Sequence, residues 1–305
     1  MIILLLKRGI VFLMSIISLF TSAGGERWAD NYSAHEFPII SAEQQEEGTV
    51  RVMSFNIRCA DVNGVNVPDR LGIGVRQILE VMPDSLGIQE ATAEWMKALG
   101  ASLLLYDWVG IEREKGEPAD KSGESCPIFY LKAKFSLVDS GNFWLSETPD
   151  EPSYGPGAAC RRICTWAKLK DRATGQVYVH VNTHFDHVSE DARVFAADMV
   201  NRFVIENFAD VPVVFTADIN TFEGLAAYST LTENLDDSRK TAKDAQAFGT
   251  FHACSPETHA DYTIDFLLCS RDITVNTYRT VTKGVDGRFV SDHFPIYADI
   301  VLPEN

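Results

Sequence analysis

Residues 176–187 read Gln-Val-Tyr-Val-His-Val-Asn-Thr-His-Phe-Asp-His. Val177, Val179 and Val181 alternate with other side chains at the period of a strand. The run then ends in polar groups suited to metal or phosphate chemistry. Upstream, residues 165–169 and 176–181 flank Asp171-Arg172-Ala173-Thr174-Gly175, a polar turn ending in glycine, so the segment reads as a hairpin. The layout recurs along the chain. Residues 50–55 alternate and deliver Asn56; residues 85–88 deliver Gln89 and Glu90; residues 211–215 lead to Ala217-Asp218-Ile219-Asn220. Residues 262–268 carry Asp265, and residues 281–290 lead loosely into Ser291-Asp292-His293. Polar residues at the ends of buried strands meet on one rim of a sheet. A His/Asp/Asn/Glu set meeting there has the chemistry of metal-assisted phosphoester hydrolysis.

Between the strands lie helical patterns. Residues 74–82 form one, stopped by Pro83, and residues 92–104 another, with Thr92 as N-cap. Ser189 caps a third, with Glu190 and Asp191 in its first turn and Phe195, Met199 and Phe203 repeating on one face. Further strands are expected at 108–112, 127–131 and 293–301. Strands and helices alternate, which predicts an α/β layered domain with sheets inside and helices outside. One domain is expected over residues 49–303, after a flexible, polar lead-in at 26–48.

Lys7 and Arg8 precede an apolar run at 10–20 and the small residues Thr21-Ser22-Ala23-Gly24-Gly25. That order predicts a signal peptide at 1–25 and a secreted or periplasmic protein. No later stretch is long enough to span a membrane. The formal net charge of the 305 residues is −16, and it becomes more negative once Lys7 and Arg8 leave with the leader. Such a surface repels polyanions and gains nothing from counterion release, which disfavours a polynucleotide partner. A small or lipid-like phosphoester and a monomeric protein are expected. Six cysteines (Cys59, Cys126, Cys160, Cys164, Cys254 and Cys269) suit either disulfides or buried thiols, and none are spaced for zinc.

Read jointly, these motifs resemble the endonuclease/exonuclease/phosphatase superfamily of metal-dependent phosphoesterases. The matching segments are Ser54-Phe55-Asn56-Ile57-Arg58, Ile88-Gln89-Glu90, Asn182-Thr183-His184, Ala217-Asp218-Ile219-Asn220, Thr263-Ile264-Asp265-Phe266 and Ser291-Asp292-His293-Phe294-Pro295. Phe143–Pro149 and Arg162–Ala167 resemble its small exported bacterial branch. The resemblance implies a four-layer α/β sandwich with two central mixed β-sheets flanked by helices. It implies Mg²⁺ or Mn²⁺ held by Asn56, Glu90 and Asp292. It implies His184, Asp218, Asn220, Asp265 and His293 as the catalytic set, Asp265 orienting His293 and favouring its imidazolium form. Arg162, Asp186 and His187 are the substrate-binding candidates; an arginine fork suits phosphate, and Asp186 would otherwise cap the helix after it. A nuclease using the same site is the alternative, and a non-catalytic binding protein is less favoured. Ala217 stands where the family carries glycine, and Cys59-Ala60-Asp61 departs from its usual run.

Overall fold

The computed structural model describes residues 37–255 and 261–304. The expected signal peptide and the start of the lead-in lie outside them. Strand β1 (Val50–Asn56) is followed by helix α1 (Val67–Val81), β2 (Ser85–Gln89), β3 (Ala91–Thr92) and α2 (Ala93–Ser102). Then come β4 (Tyr106–Val109), β5 (Glu124–Ser125), β6 (Ile128–Leu131), β7 (Phe135–Trp144), β8 (Ile163–Asp171) and β9 (Val177–His184). Helix α3 (Glu190–Phe208), β10 (Val213–Asp218), α4 (Ala226–Leu231), β11 (Leu235–Asp237), α5 (Ser238–Thr241) and β12 (Asp244–Gln246) follow. The chain ends with β13 (Asp265–Ser270), β14 (Thr274–Thr280) and β15 (Ile296–Val301).

Two mixed sheets carry the fold. One has the order β12-β14-β15-β1-β2-β6-β4, the other β11-β13-β10-β9-β8-β7. Every residue of β1, β2 and β10 is buried, as strands covered on both faces must be, and their sequences are correspondingly apolar. Three apolar clusters define the layers. Ile78, Trp95 and Leu99 pack the first two helices on Phe55 and Ile88 of the first sheet. Ala196, Val200 and Val204 of α3 cover Val181 and Phe215 of the second. Val52, Ile128, Leu169, Tyr178 and Ile300 fill the space between the sheets. The four-layer α/β sandwich follows from that order of helix, sheet, sheet and helix.

Toward the site end the inter-sheet layer turns polar. His180 spans the gap, with Nδ1 3.1 Å from Ser85 Oγ and Nε2 2.8 Å from Thr216 Oγ1. Asn182 donates to Ile88 O at 2.8 Å and Pro127 O at 3.0 Å, and its Oδ1 accepts from Gln89 Nε2 at 2.7 Å. Gly87 makes this approach feasible: a Cβ there would lie 2.2 Å from Thr216 Oγ1. Asn182, the first residue of the Asn-Thr-His motif, therefore ties the sheets together.

Several sequence expectations are corrected. Residues 281–290 are not a strand; they fold back on a turn with Asp286 and Gly287 at φ 51° and 73°. Ser291-Asp292-His293 thus lies in a loop ahead of β15. Helix α1 begins seven residues before the predicted 74, with Asn66 as N-cap accepting from Asp69 N at 3.0 Å. On α3 the fully buried stripe runs through Ala192, Ala196, Ala197, Val200 and Val204, while Phe195, Met199 and Phe203 are half-buried. Residues 37–48 do not form a free lead-in. Phe37 and Ile40 are buried, and Ile40 N donates to Thr282 Oγ1 at 2.7 Å. The six cysteines are all unpaired. Among the described residues no helix is long and apolar enough to cross a membrane.

Candidate active site

Strand register assembles the site. Asp218 at the end of β10 pairs with His184 of parallel β9 on one side and Asp265 of antiparallel β13 on the other. Asn56 at the end of β1 lies opposite Gln89 of neighbouring β2, which puts Glu90 next to it on the sheet that faces the one carrying Asp218. Asn56 then bridges the sheets, its Nδ2 donating to Glu90 Oε1 at 3.0 Å and Asp218 Oδ2 at 2.9 Å. Three residues of this rim hold left-handed backbone: Arg58 at φ 63°, Glu90 at φ 60° and Asn220 at φ 49°. Such conformations cost about 1–3 kcal/mol each and gather where geometry serves a task.

His293 Nδ1 lies 2.8 Å from Asp265 Oδ2. Burial opposes a charge on this ring, but Asp265, with Asp218 and Asp292 nearby, overrides it and lifts the pKa to about 10. His293 is thus an imidazolium at neutral pH, and its Nε2 lies 3.8 Å from Asp218 Oδ2. Burial, then the charge of Asp265, raises Asp218 to about 7. Asp218 Oδ1 accepts from Asn220 N at 2.9 Å. The Asn220 amide nitrogen faces Phe185 O at 3.1 Å and His184 Nε2 at 2.9 Å. A carbonyl only accepts and an amide nitrogen only donates, so His184 Nε2 is the acceptor and the ring proton sits on Nδ1. Burial, helped by the charges of Arg162 and Arg113, holds His184 neutral.

Hard oxygen donors on this rim suit a divalent cation. Burial works against ionisation of Glu90, yet Cys59 N at 2.8 Å and Asn56 keep its pKa at about 2. Glu90, Asp218, Asp265 and Asp292 are all buried at one rim. This crowding of acids, visible in the raised Asp218, is what a bound dication relieves. Asp292 Oδ2 pairs with Arg58 Nη1 at 3.0 Å. Asp218, Asp265 and His293 offer ligating atoms within 4.8 Å of one another. The Asp265–His293 hydrogen bond engages that imidazole, however, so the trio is better suited to moving a proton than to holding a metal. Asn56, expected as a metal ligand, serves as a strut in this geometry. Its oxygen accepts from Arg58 N at 3.1 Å, because its nitrogen must face two carboxylates.

The substrate-binding candidates divide. Arg162 is buried on the loop entering β8, and its Nη2 lies 3.1 Å from His187 Nδ1. His187 is exposed beside it. The carboxylate of Asp186 is taken up by backbone donors instead. Its Oδ1 accepts from Val188 N and Ser189 N, both at 2.9 Å, and its Oδ2 from Ala159 N at 2.9 Å. It ties the loop before β8 to the start of α3.

Arg70 is a supporting residue that motif reading passed over. Fully buried, its guanidinium donates to the carbonyls of Ile57 (3.2 Å), Arg58 (3.0 Å), Ala60 (2.5 Å) and Val290 (2.5 Å). It therefore binds the loop after β1 to the loop that carries Asp292. A signal existed: Arg70 occupies the apolar stripe of α1 with Val67, Ile73 and Gly74. Arg58 was legible in its motif, but its pairing with Asp292 was not.

No family model matches the sequence. A solved endonuclease/exonuclease/phosphatase protein of Bacteroides vulgatus is 36% identical, with a TM-score of 0.77 over 83% of this chain and 99% of that one. This chain belongs to the endonuclease/exonuclease/phosphatase family. A second family member, from Bacteroides thetaiotaomicron, is 29% identical at a TM-score of 0.78, covering 86% of this chain and 100% of its own. A mannosyl-6-phosphatase of the same organism is 30% identical at a TM-score of 0.77, covering 83% and 100%. An uncharacterized protein of Acanthamoeba polyphaga mimivirus is 23% identical over 206 residues, 57% of this chain and 29% of that protein. The chain therefore spans less than a third of that curated relative. The family places the protein among phosphoesterases and nucleases.

Proposed function

We propose that the protein is an exported, divalent-metal-dependent phosphoesterase that cleaves a small phosphoester by attack of water. The observation that carries this reading is the Asp265–His293 pair at 2.8 Å, set opposite Asp218 across a rim of buried acids. Glu90 and Asp292 would hold Mg²⁺ or Mn²⁺, and Asn56 braces Glu90. Bound there, the cation supplies charge neutralisation for the phosphate and the leaving oxygen.

The chain's own groups then divide the work. Asp218, raised by its surroundings, takes a proton from the attacking water, since a base is most effective with a pKa near the working pH. Asn220 holds Asp218 in place through its backbone N–H. His293 donates from Nε2 to an oxygen of the phosphoryl group, and Asp265 keeps the ring protonated and oriented. His184, neutral and protonated on Nδ1, donates to a second oxygen. Export rests on the basic, apolar and small-residue order of residues 7–25.

The net charge of −16 supports a small substrate over a polynucleotide. The mannosyl-6-phosphatase relative supports it too, because its substrate class is a sugar phosphate. The test is turnover of p-nitrophenyl phosphate, bis-p-nitrophenyl phosphate, hexose 6-phosphates and single-stranded DNA with Mg²⁺ or Mn²⁺ present. Cleavage of the small esters is expected. Rapid DNA degradation with no turnover of any small ester would overturn the reading.

A further inference from the structure

Arg162 Nε, Arg162 Nη1 and His184 Nδ1 are buried beside the catalytic rim without a hydrogen-bond partner; Arg58 Nε is too, but Arg58 is paired with Asp292. Arg162 and His184 belong to adjacent strands. Cys164 of β8 pairs with Thr183 of β9, so Arg162, just before β8, lies at the same sheet end as His184. The backbone there is pinned, with Leu145 N donating to Arg162 O at 2.9 Å and Asp186 holding Ala159 N.

Arg162 differs from the arginines around it. Arg113 is paired with Glu114 and Glu124, and Arg161 with Glu114. Arg162 is 5% exposed, yet its one side-chain bond goes to His187 Nδ1. No carboxylate lies within ion-pair distance of it among the described residues. Glu124 and Asp186 lie near enough to feel its charge, but neither pairs with it directly, and a buried guanidinium without a direct anionic partner is costly. Because an arginine nitrogen only donates, His187 Nδ1 accepts and its proton sits on Nε2, turned away from Arg162. The result is a permanent positive charge beside His184 Nδ1, with two of the three guanidinium nitrogens lacking an acceptor.

We propose that Arg162, held by His187 next to His184, binds a terminal oxygen that only a phosphomonoester offers, so that the site selects monoesters over diesters. This rests on the phosphoesterase reading above and narrows its substrate class. A monoester presents three terminal oxygens and a charge of about −1.5 to −2 at neutral pH. A diester presents two such oxygens and one charge, and an esterified group where the third would be. His293, His184 and the cation site serve two oxygens; the Arg162 fork meets the third. With a diester, Arg162 stays buried and unpaired and meets the second ester group, which also disfavours the interior of a polynucleotide.

The test compares wild type with Arg162→Met and Arg162→Lys on p-nitrophenyl phosphate and bis-p-nitrophenyl phosphate. The ratio of kcat/KM for monoester over diester is expected to fall about 30- to 100-fold in Arg162→Met, the scale of a charge-assisted bond, and less in Arg162→Lys. A calorimetric titration with inorganic phosphate reads the same pocket without turnover, and Arg162→Met should weaken it by a similar factor. In phosphate-free buffer the melting temperature of Arg162→Met should be no lower than that of wild type, which a merely structural arginine would not allow. Equal losses on both esters, or unchanged phosphate affinity with a lowered melting temperature, would overturn the proposal. If wild type cleaves neither ester, the phosphoesterase reading fails, and the phosphate titration alone then decides the role of Arg162.

Discussion

Replacing Gly87 by alanine tests how tightly the two sheets are joined beneath the site. The added Cβ would sit 2.2 Å from Thr216 Oγ1 and 2.5 Å from Asn182 Oδ1. Both neighbours are engaged. Asn182 Oδ1 accepts from Gln89 Nε2 at 2.7 Å and Thr216 Oγ1 at 3.0 Å, and His180 Nε2 lies 2.8 Å from Thr216 Oγ1. Overpacking alone costs about 1–3 kcal/mol. Leaving one buried polar group unpaired adds about 1–3 kcal/mol. The expected loss is about 2–6 kcal/mol, a large share of the ~5–15 kcal/mol that holds a typical domain folded. Urea denaturation followed by far-UV circular dichroism measures it. Activity should fall as well, because Glu90 follows three residues after Gly87 and His184 two after Asn182. Adding Thr216→Ala removes the nearest obstacle, so the double variant should be less destabilised than the sum of the singles by more than about 1 kcal/mol. A Gly87→Ala protein within about 1 kcal/mol of wild type would refute the close approach.

Three further outcomes are expected. Burial pushes the pKa of His180 from 6.5 to about 3, so the unfolded chain binds a proton that the folded one refuses. That contribution to stability is complete above pH 6.5 and is lost as pH falls from 6.5 toward 3. It amounts to about 2 kcal/mol by pH 5, and urea titrations of His180→Gln at pH 7 and pH 5 should show a correspondingly flatter dependence. Arg70→Met should lower stability by about 3 kcal/mol or more and weaken Mg²⁺ or Mn²⁺ binding measured by calorimetry, because it frees the loops carrying Arg58 and Asp292; unchanged metal affinity would contradict that link. EDTA should abolish turnover and added Mg²⁺ or Mn²⁺ restore it, while chelator-resistant turnover would show that the oxygen-donor rim is not a metal site.

What could be read from the sequence followed burial. β1, β2, β9 and β10 are buried nearly throughout, so their apolar runs announced them and located Asn56, Glu90, His184 and Asp218 at their ends. β7 and β14 gave no such signal. β7 is an edge strand with exposed Leu137, Val138 and Asp139, and β14 (Thr-Val-Asn-Thr-Tyr-Arg-Thr) is mostly polar, with three consecutive buried residues at its end rather than an alternating pattern. The stretch at 281–290 misled in the opposite direction, since buried Val281, Val285 and Val290 pack on α1 from a loop. Side-chain partnerships were the least accessible layer. Asp186 and His187 are adjacent, yet one serves backbone N–H groups and the other Arg162. Only the convergence of β8, β9 and α3 separates those roles.

The most direct test of the central claim is the turnover of Asp218→Ala and His293→Ala on a small phosphoester at saturating Mg²⁺, with circular dichroism confirming that both fold. Removing a group that acts in the transition state is expected to cost at least about 10²- to 10⁴-fold in kcat. Losses of that size in both variants, with spectra like wild type, are predicted. Turnover within a few-fold of wild type in both would contradict the placement of the chemistry at the Asp218–His293 rim.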